Sequence, residues 1–340
     1  MDMKKYIGKR LFWAIISLFG LSLFIFYFGR IIPGDPIEMM VGPRTPDHVI
    51  ENLRQSLALD RPLYIQYFIW LRNVFQGDLG FSIVTKRSVT TDVKTYLPRT
   101  LELITYAAAF QIVGSFLLGI FAGSNINKWQ DHVIRIFSYI GVSIPAFVFA
   151  IIFQLTFAYQ LGWFPVTGAL TSGFAHPPEV TGFLGIDALL AGQFKTFINF
   201  VHHATLPAIA LAIPGTAQVA RMIRSGMITI KQKEYISMAK GFGLPERTIR
   251  FKYLLRPSII PGVTVLGMQI AMMLGNAFLV EMVFRWPGFS RHAINAMLHS
   301  DLNTIVATVM KIGIMFAIIN LVVDTIVAYI DPRIRYGGRS

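Results

Sequence analysis

Six apolar runs, at about residues 10–31, 100–123, 134–160, 203–223, 258–280 and 304–330, decide what this chain can fold into. A helix needs about 20 apolar residues to cross a hydrocarbon layer about 30 Å thick. Each run meets that length, so the sequence predicts an all-α, polytopic membrane protein with six transmembrane helices. Composition agrees: 54% of the residues are hydrophobic and 14% charged, where a soluble domain carries about 25% charged residues. Pro145, Pro207 and Pro214 fall inside the runs and mark candidate kinks. The N-terminal run follows a basic segment but is about twice as long as a signal-peptide core, and no small-x-small cleavage site follows it. It is expected to remain as the first span.

The net charge of +13 would suggest nucleic acid in a soluble chain. Here it follows the positive-inside rule, so no nucleic-acid partner is expected. Lys4, Lys5, Lys9, Arg10, Lys128 and Arg135 fall on one side of a six-span topology, with the basic 221–257 segment and Arg333, Arg335 and Arg339. That side is expected to be the cytoplasm, in a multi-pass cell-membrane protein with both termini inside. The opposite segments mix signs, as in Arg44, Asp47, Glu51, Arg54, Asp60 and Arg61. Leu53, Leu57, Tyr64, Phe68 and Leu71 recur at near-helical spacing, broken at Asp60-Arg61-Pro62. The expected organisation is residues 1–31 as N-terminal segment and first span, 32–99 as a small external helical cap, and 100–340 as a core of five spans. Residues 161–202, rich in Gly and Thr with Pro177-Pro178, are expected to be irregular.

The chain lacks the usual catalytic constellations. It has no GxxxxGK[ST] to cradle phosphates and no HExxH. His202 and His203 are adjacent, so on a helix they diverge and chelate poorly, and with no cysteine there are no disulfides or thiolate metal sites. No catalytic, cofactor or metal site is expected. A secondary transporter usually buries ionisable residues for ion coupling, but the runs hold little charge. Lys311 and Asp324, in the last run, are too far apart to pair on one helix. The chain reads as a pathway whose energy source is a partner.

The segment EYISMAKGFGLPERTIRFKYLLRP, beginning at Glu234, is the least membrane-like part of the core. Tyr235, Met238, Ala239 and Phe242 fall at i, i+3, i+4 and i+7, one apolar stripe of a short helix. Glu234 suits its first turn. Gly241 and Gly243 are expected to end it, and Pro245-Glu246 to open a second helix. A helix this short needs a groove to dock into. A basic amphipathic segment resting on anionic lipid is the competing reading; the glycine elbow favours docking, because it lets backbone approach a partner closely.

These residues resemble the EAA coupling loop of ABC-transporter permeases, in the form found in the dipeptide/oligopeptide/nickel importer family. Glu234, Tyr235, Ala239, Gly243, Leu244 and Ile249 match that pattern, and Gly241 stands where alanine is usual. RIIPGDP at 30–36, GDLGFS at 77–82, LPRTLEL at 97–103, VEMVFRWPGFS at 280–290 and DPRIRYG at 331–337 are similar to further motifs of the family, with Ser290 replacing a usual glycine. The resemblance covers the whole chain. It implies a type I ABC importer permease fold and the role of the first permease subunit. It further implies as partners a second permease, two ATP-binding subunits that hold ATP and Mg²⁺, and an extracytoplasmic substrate-binding protein. The ATPase-docking residues would be Glu234, Tyr235, Met238, Ala239, Gly241, Phe242, Gly243 and Leu244. The cargo implied is a di- or oligopeptide, with oligosaccharides and nickel chelates as alternatives. On the fifth span Gln269, Met272, Met273 and Asn276 share a face that is a candidate lining for the path, against helix packing as the alternative. Gln111, Gly114, Ser115 and Leu118 do the same on the second span. A stand-alone secondary transporter would need coupling charges or an internal repeat, and neither is visible.

Overall fold

The computed structural model describes residues 3–31 and 60–330, with Pro46, His48, Ile50, Glu51 and Arg54 between them. The RIIPGDP motif beyond Ile31, the Leu53 and Leu57 positions and the DPRIRYG tail lie outside the described residues. Among those described, the regular elements are all helical, as expected of segments that must satisfy their own backbone in lipid.

Among the described residues five helices are long and apolar enough to cross a membrane: Met3–Gly29, Val89–Ser124, Phe194–Lys231, Glu246–Val283 and Leu302–Tyr329. They belong to elements labelled in chain order as α1 (Met3–Ile31), α2 (Leu63–Phe75), α3 (Val89–Ser124), α4 (Trp129–Ser143), α5 (Ala146–Phe153), α6 (Leu184–Leu190), α7 (Phe194–Lys231), α8 (Glu234–Gly241), α9 (Glu246–Thr248), α10 (Arg256–Val283), α11 (Phe289–Leu298) and α12 (Leu302–Ile330).

The third apolar run is broken at the candidate kink Pro145. It forms α4 and then α5, which continues in π-type turns to Gln160, and the two halves meet at 107°. Pro145 causes the break: it offers no N–H to α4 and forces Ile144 into extended backbone, with φ −98° and ψ 126°. Pro207 and Pro214 behave differently, because α7 runs through both without interruption.

Helix α7 is the centre of the bundle and packs against α3, α4, α5, α6 and α10. Its small side chains Ala204, Ala208 and Ala212 are buried, allowing this close packing. Its own Phe200 forms the main apolar core with Leu103, Phe284 and Trp286 from around it. Outward faces carry the reverse pattern of a soluble helix. On α4, Val133, Ile136 and Tyr139 are exposed, while Asp131, Ser138 and Gly141 turn inward.

The helix predicted after Pro62 is present as α2, but the predicted stripe does not make its buried face. Tyr64 and Phe68 are exposed, Leu71 is half-buried, and Gln66 and Tyr67 turn inward. Tyr67 reaches α1, where its hydroxyl lies 2.8 Å from Ser22 Oγ and its ring packs on Phe26. The buried side therefore follows the aromatic surface that α1 offers. Residues 89–99 form the first turns of α3, whose start is capped by the Ser88 side chain.

Candidate functional site

The bundle has two dissimilar ends. Residues 124–128 and 231–257 gather at one, and residues 76–101, 161–193 and 284–303 at the other.

At the first end, α8 closes by the hydrogen-bond pattern its glycine predicts. Gly243 N–H donates to the Lys240 carbonyl at 2.9 Å and Leu244 N–H to that of Ala239 at 3.2 Å. Gly243 sits at φ +70°, the left-handed position of this cap. Gly241 is the last helical residue and meets nothing on its Cα side. The predicted second helix is present but is not separate from the fifth span. After Pro245 the chain runs as one helix from Glu246 to Val283, through π-type turns at Ile249–Leu255. Those turns precede Pro257, which has no N–H to offer the carbonyl four residues back. The elbow is thus welded directly to a membrane span.

The predicted stripe on α8 divides. Tyr235, Met238 and Phe242 are 42%, 60% and 80% exposed, and Leu244 is half-buried. Ala239 instead turns inward and packs with Ile236 and Ile249. Three large apolar side chains therefore project from a short, exposed helix whose other face holds it to the bundle.

The face predicted on α10 divides too. Met273 is buried in the main core, Gln269 is half-buried, and Met272 and Asn276 are exposed. Met272 and Asn276 border a groove that Gly275 and Phe316 also line. On α3, Gln111 and Ser115 are fully buried, and Gln111 lies against Gly215. Their candidate role in a path gives way to helix packing, because α7 covers them.

At the opposite end, distant motifs dock on each other. Thr100 Oγ1 donates to Glu281 Oε1 at 2.5 Å, and Ser290 N–H donates to Glu281 Oε2 at 3.0 Å. Phe289 N–H donates to Thr100 Oγ1 at 2.8 Å, and Trp286 Nε1 to the Arg99 carbonyl at 3.1 Å. LPRTLEL and VEMVFRWPGFS thereby form one joint. Gly288 is required there, since a Cβ would run into the Glu281 carboxyl. The GDLGFS motif is tied to α12, because Ser82 Oγ donates to Asp301 at 2.6 Å and Ile83 N–H at 2.9 Å.

Two sequence families match the chain. Residues 115–336 match the Binding-protein-dependent transport system inner membrane component, and residues 3–104 match the corresponding N-terminal membrane component. The chain belongs to this family. It is 36% identical over 330 residues, covering 97% of each chain, to the Escherichia coli K12 protein named "Probable D,D-dipeptide transport system permease protein DdpB". Identity is 35% over 335 residues to the Di/tripeptide transport system permease protein DppB of Pseudomonas aeruginosa, covering 98% and 99%. With the Glutathione transport system permease protein GsiC of Escherichia coli K12 it is 32% over 334 residues, covering 98% and 100%. The protein is thus a multi-pass membrane permease of a partnered, binding-protein-dependent transport system.

Three acidic residues at the edges of the apolar runs of this permease, Glu102, Asp131 and Glu281, are all buried. Glu102 accepts from Leu184 and Gly185 N–H, both at 2.8 Å, and so caps α6. Their signal in the sequence is a lone acidic residue beside an apolar run; their long-range partners, some 80 to 180 residues away, give no local sign. Asp187, outside the spans, accepts from the Val180, Thr181 and Gly182 N–H groups. Burial pushes its carboxyl up, but these bonds outweigh it and hold it below the usual aspartate range. The histidines of the permease pin the irregular loop: His202 Nε2 lies 2.8 Å from the Trp163 carbonyl, and His203 contacts Gly168 and Thr171. Asp324 pairs at 2.9 Å with Arg10 of α1, a partner beyond reach of a same-helix search.

Proposed function

We propose that this permease is one half of the membrane path of an ATP-driven importer for short peptides, corresponding to the first permease subunit. The near full-length likeness to permeases named for dipeptides, di/tripeptides and glutathione carries this reading. A second permease completes the path, two ATPase subunits bind ATP and Mg²⁺, and an extracytoplasmic binding protein delivers the peptide. The chain itself supplies no nucleotide site and catalyses no reaction.

In this reading the 231–257 segment is the coupling loop and faces the cytoplasm with both termini. The Lys/Arg bias supports that orientation. Tyr235, Met238 and Phe242 enter an ATPase groove, as the anchors of a helix-in-groove contact do. Gly243 holds the elbow, and the unbroken helix from Glu246 carries motion of the loop into the fifth span. Met272 and Asn276 line the path, and the binding protein meets residues 76–101 and 161–193. Residues 1–31 then form the first span, 32–99 an outer segment, and 100–340 the transport core.

Reconstitution with the partner subunits tests the cargo. ATP-dependent uptake of a labelled di- or tripeptide is expected, competed by other short peptides. Uptake of an oligosaccharide or nickel chelate with no peptide uptake would replace the cargo, and uptake by the chain alone would replace the mechanism.

A further inference from the structure

We infer that the Asp131–Arg224 ion pair is a positioning device that makes the first half of the broken third span move as one body with the coupling loop. The inference rests on the reading of residues 231–257 as that loop. Arg224 lies on α7, ten residues before α8 begins at Glu234. Its guanidinium grips Asp131 with both arms, Nε on Oδ1 and Nη2 on Oδ2 at 2.7 Å. Asp131 is fully buried and Arg224 is partly buried, with 17% of its side chain exposed. The same carboxylate accepts from Asn127 N–H at 3.1 Å, in the tight turn between α3 and α4. One buried charge thus joins the α3–α4 turn, the start of α4 and the loop-bearing end of α7.

The surroundings make this base stiff. A Cβ at Gly119 would lie 2.8 Å from Ile223 Cβ, and one at Gly226 would lie 2.6 Å from the Ser258 carbonyl oxygen. Helices α3, α7 and α10 therefore touch nearly backbone to backbone beside the ion pair. Packed interfaces of this kind shift between discrete arrangements rather than deform. By contrast α4 stops at Ser143 and the span turns through 107°. A rigid lower half joined to a bend gives a displaced loop one place to deliver its motion, the break at Pro145. A fork-to-fork contact fixes direction as well as distance, which a lysine point charge does not.

The test uses the assembled complex with its ATPases and the loaded binding protein. Asp131→Asn and Arg224→Met are each expected to lower peptide transported per ATP hydrolysed by about tenfold, with ATPase co-purification unchanged. Arg224→Lys is expected to fall between these and the parent, and the double variant to be no worse than the worse single one. Unchanged transport per ATP in the single variants, or effects that add in the double, would overturn the inference. So would loss of ATPases in proportion to loss of transport. A second measurement needs neither charge variant. The chain has no cysteine, so spin labels at Trp129 and Arg247 are unambiguous. Their separation is expected to stay constant between nucleotide-free and ATP-bound complex, while that from Arg247 to Trp163 changes. Equal changes in both would contradict the proposal even if every variant misfolds. Phe242→Ala, run in parallel, reports on docking itself: lost ATPase binding there beside unaltered coupling in Asp131→Asn removes this inference and leaves the loop assignment standing.

Discussion

The two ends of the permease solve opposite problems. At the end bearing residues 161–193 and 284–303, buried carboxylates satisfy exposed backbone: Glu102, Asp187, Glu281 and Asp301 each accept N–H groups from a loop or helix start. Every such bond closes within the chain. At the loop end, α8 rests on the small cluster of Ile236, Ala239 and Ile249 and leaves three large apolar side chains in the open. The pinned end also exposes large apolar side chains, among them Trp163, Val180, Leu190 and Leu298, but its loops are held in shape by these buried carboxylates. Among the described residues helix α8 has no such ties, and in the proposed reading a partner completes it, because a helix of this length gains little stability from itself. Residues pinned by buried charge should therefore report on folding, and those of α8 on assembly.

Breaking the pinned end should have the larger effect. Glu281→Ala strands the Thr100 hydroxyl and the Ser290 N–H in a dry site. Each unpaired group costs about 1–3 kcal/mol, so a loss of about 3 kcal/mol is expected, read as a drop in the unfolding temperature of the purified permease. An unfolding temperature equal to the parent's would mean that the carboxylate does not organise this end. At the loop end Phe242→Ala should leave that temperature unchanged and weaken ATPase association by about tenfold or more, the usual scale for an aromatic anchor. A variant that unfolds early yet binds ATPases normally would invert the comparison.

A smaller effect is expected from acid. Asp187 is held below its unfolded value, so the folded state binds fewer protons and the carboxylate stabilises at neutral pH. That contribution is complete above the unfolded aspartate value of about 4 and fades as pH falls through the lower folded one. Asp187→Asn should flatten this part of the stability profile below about pH 4. Retention of the parent's acid sensitivity in the variant would assign it to other carboxylates.

How much of this was legible in the sequence depended on range. Transmembrane runs, the break at Pro145 and the Gly243 cap are local matters, set by length, a missing N–H and a required φ, and the chain displayed them. Contacts between distant segments were hidden. Glu102 and Glu281 sat inside the family-like motifs, yet nothing near them indicated that LPRTLEL would meet VEMVFRWPGFS. The α8 stripe is helical, as its spacing indicates, but periodicity alone cannot assign Ala239 to the inner face, because that depends on Ile249 folding back beneath it. The same reason separated Met273 from Met272 and Asn276 on α10.

The central claim is that the loop end is a docking knob held by its elbow, not a basic patch on lipid. Two variants in one assay, ATPase co-purification with substrate-stimulated hydrolysis, decide it. Gly243→Val places a β-branched residue at φ +70°, where such side chains are strained by about 1–2 kcal/mol. It should insert normally, lose ATPase binding or uncouple hydrolysis from uptake. Lys240→Ala removes one exposed charge and should stay close to the parent. A normal Gly243→Val beside an impaired Lys240→Ala would contradict the account, since only a lipid-bound segment depends on each cation, at about 1 kcal/mol apiece, more than on the elbow.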